Sequence, residues 1–436
     1  MMFKKILGTF FTKGFVTVIS FGTILLTTHN LGSVGRGDIS IISTVVGLMG
    51  LVNGFVGGTA LVYLMPRNKN RRFYIQAILF SVLWAFIVCL FGALLYRYGY
   101  QMQSEYWKHA LYLGVLTCIY SILLIMILSH EDISKYNLIG VLQPTLNFIF
   151  FTLAILVGYV TVGTYIYCLC FSYLCTLMIA IVTVRGYFTG LQTKAEAILP
   201  FQTLRKMVSL GFIAQMGNFI QYFNYRFSFF IINIYVGTAG VGIYSVGISL
   251  SEAAWMLAQS IAVVQYSTIA NCRDEKYAIS LTGRLAKLSF MITFFIILGL
   301  VLLPESVFGF IFGEEFAQIR TVLLYLSPGI VIWGLGIVLS NYFAGQGQYY
   351  INTLASFIGL TVTIPGCFLL IPRLGYIGAA ITASLSYVII VIFQLVVFLQ
   401  KTKIGLRAFK ITREDWDVIK SLINDYWRRL FIHNRP

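Results

Sequence analysis

The chain has 436 residues, of which 58% are hydrophobic and only 11% charged, with a mean hydropathy of +0.85, whereas an ordinary soluble domain carries about a quarter charged residues. A water-soluble globule is excluded, and the polar residues fall between apolar runs rather than in a separate catalytic module. The net charge of +16 would raise the question of nucleic acid in a soluble protein, but in a polytopic membrane protein it reads as loop charge on the cytoplasmic face.

Apolar stretches long enough to cross a bilayer, about 20 residues each, recur at 6–28, 39–65, 73–96, 108–129, 137–158, 164–187, 207–236, 240–269, 288–311, 321–343, 349–371 and 375–399. The charged start before the first run has the flavour of a signal peptide. Lys13 interrupts that run, however, and no small-residue cleavage site follows, so it reads as a retained span. On a helix, Thr9, Thr12, Lys13, Ser20, Thr23 and Thr27 of this span share a polar stripe about 100° wide. Lys13 either faces a cavity from that stripe or snorkels to the cytoplasmic surface. Arg36 and Asp38 follow in the first hairpin and read as turn residues at the outer surface. In the second span Gly47, Gly50, Gly54 and Gly58 make a small-residue face on which another helix can pack closely.

The third to sixth spans are more uniformly apolar. Here Cys89, Cys118, Cys168, Cys170 and Cys175, like Cys367 later, behave as small hydrophobes and imply no disulfide framework. The seventh span differs, because Gln215, Asn218, Tyr222, Arg226 and Asn233 fall on one stripe about 80° wide. In the eighth, Ser245, Ser249, Glu252 and Gln259 share a side. Arg226 is ten residues, about 15 Å, from the outer end of its span, and Glu252 twelve residues, about 18 Å, from the outer end of the next. In an antiparallel hairpin the two charges lie at similar depth. Two readings follow: a structural ion pair, or an anion site whose acid tunes or couples it.

Twelve spans place both termini on one side. If that side is cytoplasmic, inner segments hold 24 of the 31 Lys and Arg residues, as the positive-inside rule requires. A repeat divides the chain in two. Leu31-Gly-Ser-Val-Gly-Arg-Gly-Asp-Ile-Ser40 lines up with Val236-Gly-Thr-Ala-Gly-Val-Gly-Ile-Tyr-Ser245 at an offset of 205, three glycines and a serine coinciding, each between the first two spans of a set of six. The expected architecture is therefore all-α and integral to the membrane. It comprises a six-helix bundle over 1–200, a second over 201–400, a pseudo-two-fold axis along the membrane normal, and a cavity at the interface. Residues 401–436 form a basic cytoplasmic tail. There Trp416, Ile419, Ile423, Tyr426, Trp427 and Leu430 predict an interfacial amphipathic helix, and a plain anchoring role is the simplest reading.

No Walker-type phosphate loop, no H-E-x-x-H and no histidine spacing suited to a metal occur. The chain reads as a transporter rather than an enzyme, with no cofactor and no metal. Four stretches carry a resemblance. They are Tyr225-Arg-Phe-Ser-Phe-Phe-Ile-Ile-Asn-Ile-Tyr-Val-Gly-Thr-Ala-Gly-Val-Gly-Ile-Tyr-Ser-Val-Gly-Ile-Ser-Leu-Ser-Glu252, Leu31-Gly-Ser-Val-Gly-Arg-Gly37, Phe312-Gly-Glu-Glu-Phe316 and Ile371-Pro-Arg-Leu-Gly-Tyr-Ile-Gly-Ala-Ala380. Together they resemble the Wzx-type polysaccharide-repeat flippases of the MATE-like MOP superfamily over nearly the whole membrane part.

The resemblance implies two six-helix bundles around a central cavity with alternating access. It also implies movement of undecaprenyl-pyrophosphate-linked oligosaccharide units from the inner to the outer leaflet of the bacterial plasma membrane. Such cavities are often cationic, which Lys13 and Arg226 match by type. Gln215, Asn218 and Tyr222 are then candidates to meet sugar and pyrophosphate, and Glu252 is a candidate for coupling or for an ion pair. Exchange of H⁺ or Na⁺ is left open. The implied partners are the lipid-linked oligosaccharide, membrane lipid, and a polysaccharide polymerase with its chain-length machinery. A MATE-like small-molecule exporter is the second reading and an integral glycosyltransferase the third.

Overall fold

The computed structural model describes residues 2–58, 61, 65, 71–99, 106–130, 132–188, 201–271, 274–403 and 405, and every element among them is helical. In chain order these are α1 (Met2–Gly57), α2 (Arg71–Gly99), α3 (Trp107–Ser129), α4 (Ile133–Leu156), α5 (Val162–Tyr187) and α6 (Phe201–Tyr235). There follow α7 (Thr238–Asn271), α8 (Glu275–Leu302), the short α9 (Glu305–Phe312), a 3₁₀ turn (Glu314–Phe316), α10 (Ile319–Gly345), α11 (Tyr349–Leu374) and α12 (Tyr376–Thr402). The expected amphipathic helix of the tail lies outside the described residues.

Ten of these helices are long and apolar enough to cross a bilayer. The first counts twice. Gly32 sits inside α1 with φ 65° and ψ −170°, a conformation that suits glycine, and it bends α1 into an arm α1a before it and an arm α1b after it. The remaining span is α6, which is 35 residues long, carries the polar stripe, and packs against α1, α11 and α12. The twelve expected spans are thus present.

Two expectations need correction. Arg36 and Asp38 are helical residues of α1b, because Gly32 alone turns the chain and the helix restarts at once. The ninth span does not run over 288–311. Asp274 caps α8 by accepting from the Lys276 and Tyr277 amides at 2.9 and 3.2 Å, so Lys276, Arg284 and Lys287 ride on the first turns of the helix. The apolar run then breaks at Pro304, and α9 is a separate short helix.

Helices α1 to α5 pack among themselves, as do α6 to α12, and the contact between the two sets runs mainly through α1, which lies against α6 and α7 and touches α9 and the 3₁₀ turn. The internal repeat forms the centre of that contact. Gly237 turns the second hairpin with φ 93° as Gly32 turns the first with φ 65°. A Cβ on Gly37 would collide with the Thr238 carbonyl oxygen, and a Cβ on Gly242 with that of Ser33. Ser33 and Thr238 are equivalent under the same offset as Gly37 and Gly242, so the contact is reciprocal, as a two-fold axis demands. Farther along α1b, Gly47 lies against the Tyr222 hydroxyl and Gly54 against the Gln215 amide, 3.1 Å from where its Cβ would be. Of the small-residue face, Gly47 and Gly54 thus receive α6, while Gly50 meets open space and Gly58 only its own helix.

Candidate functional site

A cavity of about 380 Å³ lies between the two helix sets, within the roughly 300–1,000 Å³ typical of ligand sites. Helical periodicity builds its walls. On α1b the lining face is Arg36, Ser40, Ser43 and Thr44; on α6 it is Tyr222, Arg226 and Phe229; on α7 it is Ser245 and Ser249. The α1b set falls at i, i+4, i+7 and i+8 and the others at three- or four-residue steps, so each presents one stripe. α4 adds Gln143 and Asn147, and α5 adds Tyr165. Two arginines and no acidic residue are among the lining side chains.

The arginines come from different halves and are held differently. Arg226 donates from Nη2 to Glu252 Oε1 at 2.8 Å, the two side chains being 24% and 36% exposed. Its guanidinium also lies 5.2 Å from the centre of the Phe229 ring. The two charges that helix rise places at similar depth are therefore paired, while Arg226 still lines the cavity. Arg36 has a looser setting. Its Nη1 reaches Thr27 Oγ1 at only 3.5 Å, and its Nε is buried without a hydrogen-bond partner. A buried donor left unmet costs about 1–3 kcal/mol, so this guanidinium favours an anionic occupant. The Asn147 Oδ1 is likewise buried and unpartnered.

The other expected residues divide. Tyr222 lines the cavity and donates to the Thr44 carbonyl across the interface at 2.9 Å. Gln215 and Asn218 lie outside the lining, bonded to one another at 3.0 Å. Lys13 is exposed and also lies outside it. Arg36, by sequence pattern a turn residue, is a helical residue of the lining. The signal that could have found it is its spacing from Ser40, Ser43 and Thr44, once Gly32 is taken as the whole turn.

Contacts along α1 join the two helix sets towards each end of the cavity. At the end bearing the Gly32 bend, Glu315 Oε2 accepts from the Ser33 amide at 2.7 Å, placing a carboxylate on the N-terminus of α1b, where helix dipole and free amides favour it. His29 Nε2 lies 2.7 Å from the Ile311 carbonyl oxygen, and the Phe21 ring meets Phe312 edge-on at 5.9 Å. The Phe312-Gly-Glu-Glu-Phe316 motif thus has a structural role. Phe312 and Phe316 are buried anchors, Gly313 turns with φ 104°, and Glu315 reaches the other half. At the opposite end Phe55 of α1b packs on Phe212 and Phe219 of α6, with ring centres 5.3 and 5.9 Å away.

A family described as Polysaccharide biosynthesis protein matches residues 37–321. The capsular polysaccharide biosynthesis protein CapF of Staphylococcus aureus is 33% identical over 84 residues, 19% of this chain and 21% of that protein. The probable low-salt glycan biosynthesis flippase Agl15 of Haloferax volcanii is 20% identical over 192 residues, 43% of this chain and 41% of that protein. The chain therefore spans between about a fifth and two fifths of the length of these curated relatives. Among solved structures, the lipid II flippase MurJ in an inward closed conformation superposes with a TM-score of 0.72 at 14% identity, covering 92% of this chain and 88% of that one. Inward- and outward-facing MATE multidrug transporters of the MOP superfamily share the fold at TM-scores of 0.64 and 0.63.

Proposed function

The chain belongs to the polysaccharide biosynthesis protein family, and from that premise we propose that it is a flippase. It moves an undecaprenyl-pyrophosphate-linked oligosaccharide unit from the inner to the outer leaflet of the bacterial plasma membrane, with both termini cytoplasmic. The observation that carries the reading is the cavity, which offers two arginines from opposite halves, many neutral polar groups and no acid on its lining, Glu252 being paired with Arg226 beside it. A pyrophosphate leaving water needs fixed charge-assisted donors, and guanidinium supplies them in a planar fork. Sugars need hydroxyl and amide partners, which α1, α4 and α7 provide. The polyprenyl tail stays in lipid if the halves part sideways. An inside-negative potential favours outward movement of anionic charge by about 2.3 kcal/mol per charge per 100 mV, so ATP need not drive the step. The activity is transport, not catalysis, and a polymerase and its chain-length partners would consume the product.

Glu252 gives the cycle its coupling point in this reading. H⁺ or Na⁺ at its carboxylate weakens its hold on Arg226 and frees donors for the substrate. The MATE-like exporter reading fits less well, since a site for cationic drugs should hold net negative charge.

The experiment is reconstitution of the purified chain into vesicles with a fluorescent undecaprenyl-pyrophosphate oligosaccharide, read by the loss of label to an external quencher. Transbilayer movement should be at least about tenfold faster than in protein-free vesicles, and Glu252→Gln should flatten its pH dependence. Equal rates with and without protein, alongside export of a cationic dye, would replace this reading with the exporter.

A further inference from the structure

On the lipid-facing side of the first half, remote from the cavity, α3 forms the floor of a trough walled by α2 and α5. It encloses about 580 Å³ and is lined by Phe86, Ile87 and Leu90 of α2, by Leu111, Tyr112, Val115 and Leu116 of α3, and by Leu174 of α5. The trough exists because Ala110, Gly114 and Cys118 of α3 are buried and let α3 sit close to α2, with Cys118 Sγ 3.7 Å from Cys89 Sγ. Neither α2 nor α3 contributes to the central cavity.

The end of the trough nearest the Gly32 bend carries charge. Arg97, in the last turn of α2, places its guanidinium 5.1 Å from the centre of the Trp107 ring. Lys108, at the start of α3, places its ammonium 5.8 Å from the same ring. Both cations are exposed. Close by, His109 packs on Tyr167 of α5 at 5.1 Å and on Tyr106 at 5.8 Å. Tryptophan and tyrosine gather at the headgroup level of a bilayer, so the two cations lie at phosphate depth. From there the lining descends within α2 to Phe86, eleven residues below Arg97, or about 16 Å at the helical rise. That matches half of a hydrocarbon core about 30 Å thick.

We propose that this trough binds an anionic diacyl phospholipid of the leaflet at the bend end, with one acyl chain between α2 and α5 and the phosphate between Arg97 and Lys108. The polyprenyl tail of the cargo is a poorer occupant, because the trough has no connection through its lining residues to the cavity that would hold the cargo headgroup. A cation at a membrane surface strengthens the binding of an anionic lipid by about fivefold, so two should favour it about twentyfold over a zwitterionic lipid.

The test is native mass spectrometry of the full chain titrated with phosphatidylglycerol or phosphatidylcholine bearing identical acyl chains. The expected result is about twentyfold tighter retention of phosphatidylglycerol, reduced to parity by Arg97→Gln combined with Lys108→Gln. Leu116→Trp, which fills the trough, should lower retention of both lipids, and Leu90→Trp serves the same purpose if the first variant fails to fold. Equal retention of the two lipids by the unaltered chain, a preference that survives the double substitution, or indifference to the tryptophans would each overturn the proposal. So would displacement of phosphatidylglycerol by an equal or lower concentration of undecaprenyl phosphate, which would make the trough a cargo-tail site.

Discussion

Arg36 and Arg226 reach one cavity from different halves, and only Arg226 meets a carboxylate there. Their substitutions should therefore differ. Arg36→Ala removes a buried N–H that has no acceptor, so transport should fall at least about tenfold while the melting temperature stays level or rises. Arg226→Ala removes one partner of a half-buried pair and strands Glu252. Complete burial would make that loss worth about 3–5 kcal/mol. The exposure of this pair reduces the expected loss to about 1–2 kcal/mol, seen as a lower melting temperature together with lost transport. Melting curves and vesicle transport measured on both variants check this. Equal destabilisation by the two, or full transport by Arg36→Ala, would remove Arg36 from the site. Arg226 and Glu252 were legible in the sequence because ionised groups stand out in an apolar run. Arg36 was not, since whether it is turn or helix depends on the single φ of Gly32.

At the scale of elements, hydropathy marks where the chain crosses a membrane but not where a helix ends. The start of α8 shows the difference, since Lys276 to Lys287 look like a loop until Asp274 is recognised as a cap. The repeat was legible as matching glycines, but its meaning, two backbones in reciprocal contact at Gly37 and Gly242, belongs to tertiary structure.

Caps also make a pH prediction. Asp132 caps α4, accepting from the Lys135 amide at 3.2 Å, the Lys135 ammonium at 2.9 Å and the Tyr187 hydroxyl at 3.1 Å. Slight burial raises its pKa, but the hydrogen bonds from Lys135 and Tyr187 and the Lys135 charge outweigh that and hold it below the ordinary carboxylate value. A depressed folded-state pKa gives stability that is present above the unfolded value, about 3.9, and lost as pH falls through the folded one. Asp132→Ala should cost about 1 kcal/mol near neutrality. The gap in melting temperature between the variant and the unaltered chain should close as the pH is lowered from 7 towards 3. A gap independent of pH would mean that the carboxylate charge does not support α4.

For the whole molecule, α1 is the principal bridge between two halves that otherwise pack mainly within themselves. Under the proposed function, alternating access requires contacts along α1 to break at one end while those at the other hold. At the bend end the polar candidate is Glu315, which bonds the first amide of α1b from across the interface at 2.7 Å. The glycine crossing beside it is a contact of backbone on backbone and contributes shape rather than charge. Glu315 is exposed, and a surface carboxylate at a helix N-terminus is worth about 0.3–1 kcal/mol, so removing it should shift a two-state equilibrium towards the form open at the bend end by roughly two- to fivefold. Ser245 provides the readout, since it lines the cavity and is buried. In a cysteine-free background carrying Ser245→Cys, a membrane-impermeant maleimide added on the bend side should label the cavity about two- to fivefold faster when Glu315→Ala is also present. Labelling at an unchanged rate would show that the Glu315 contact does not hold the halves together, and that the glycine crossing and the Phe21–Phe312 contact close this end by themselves.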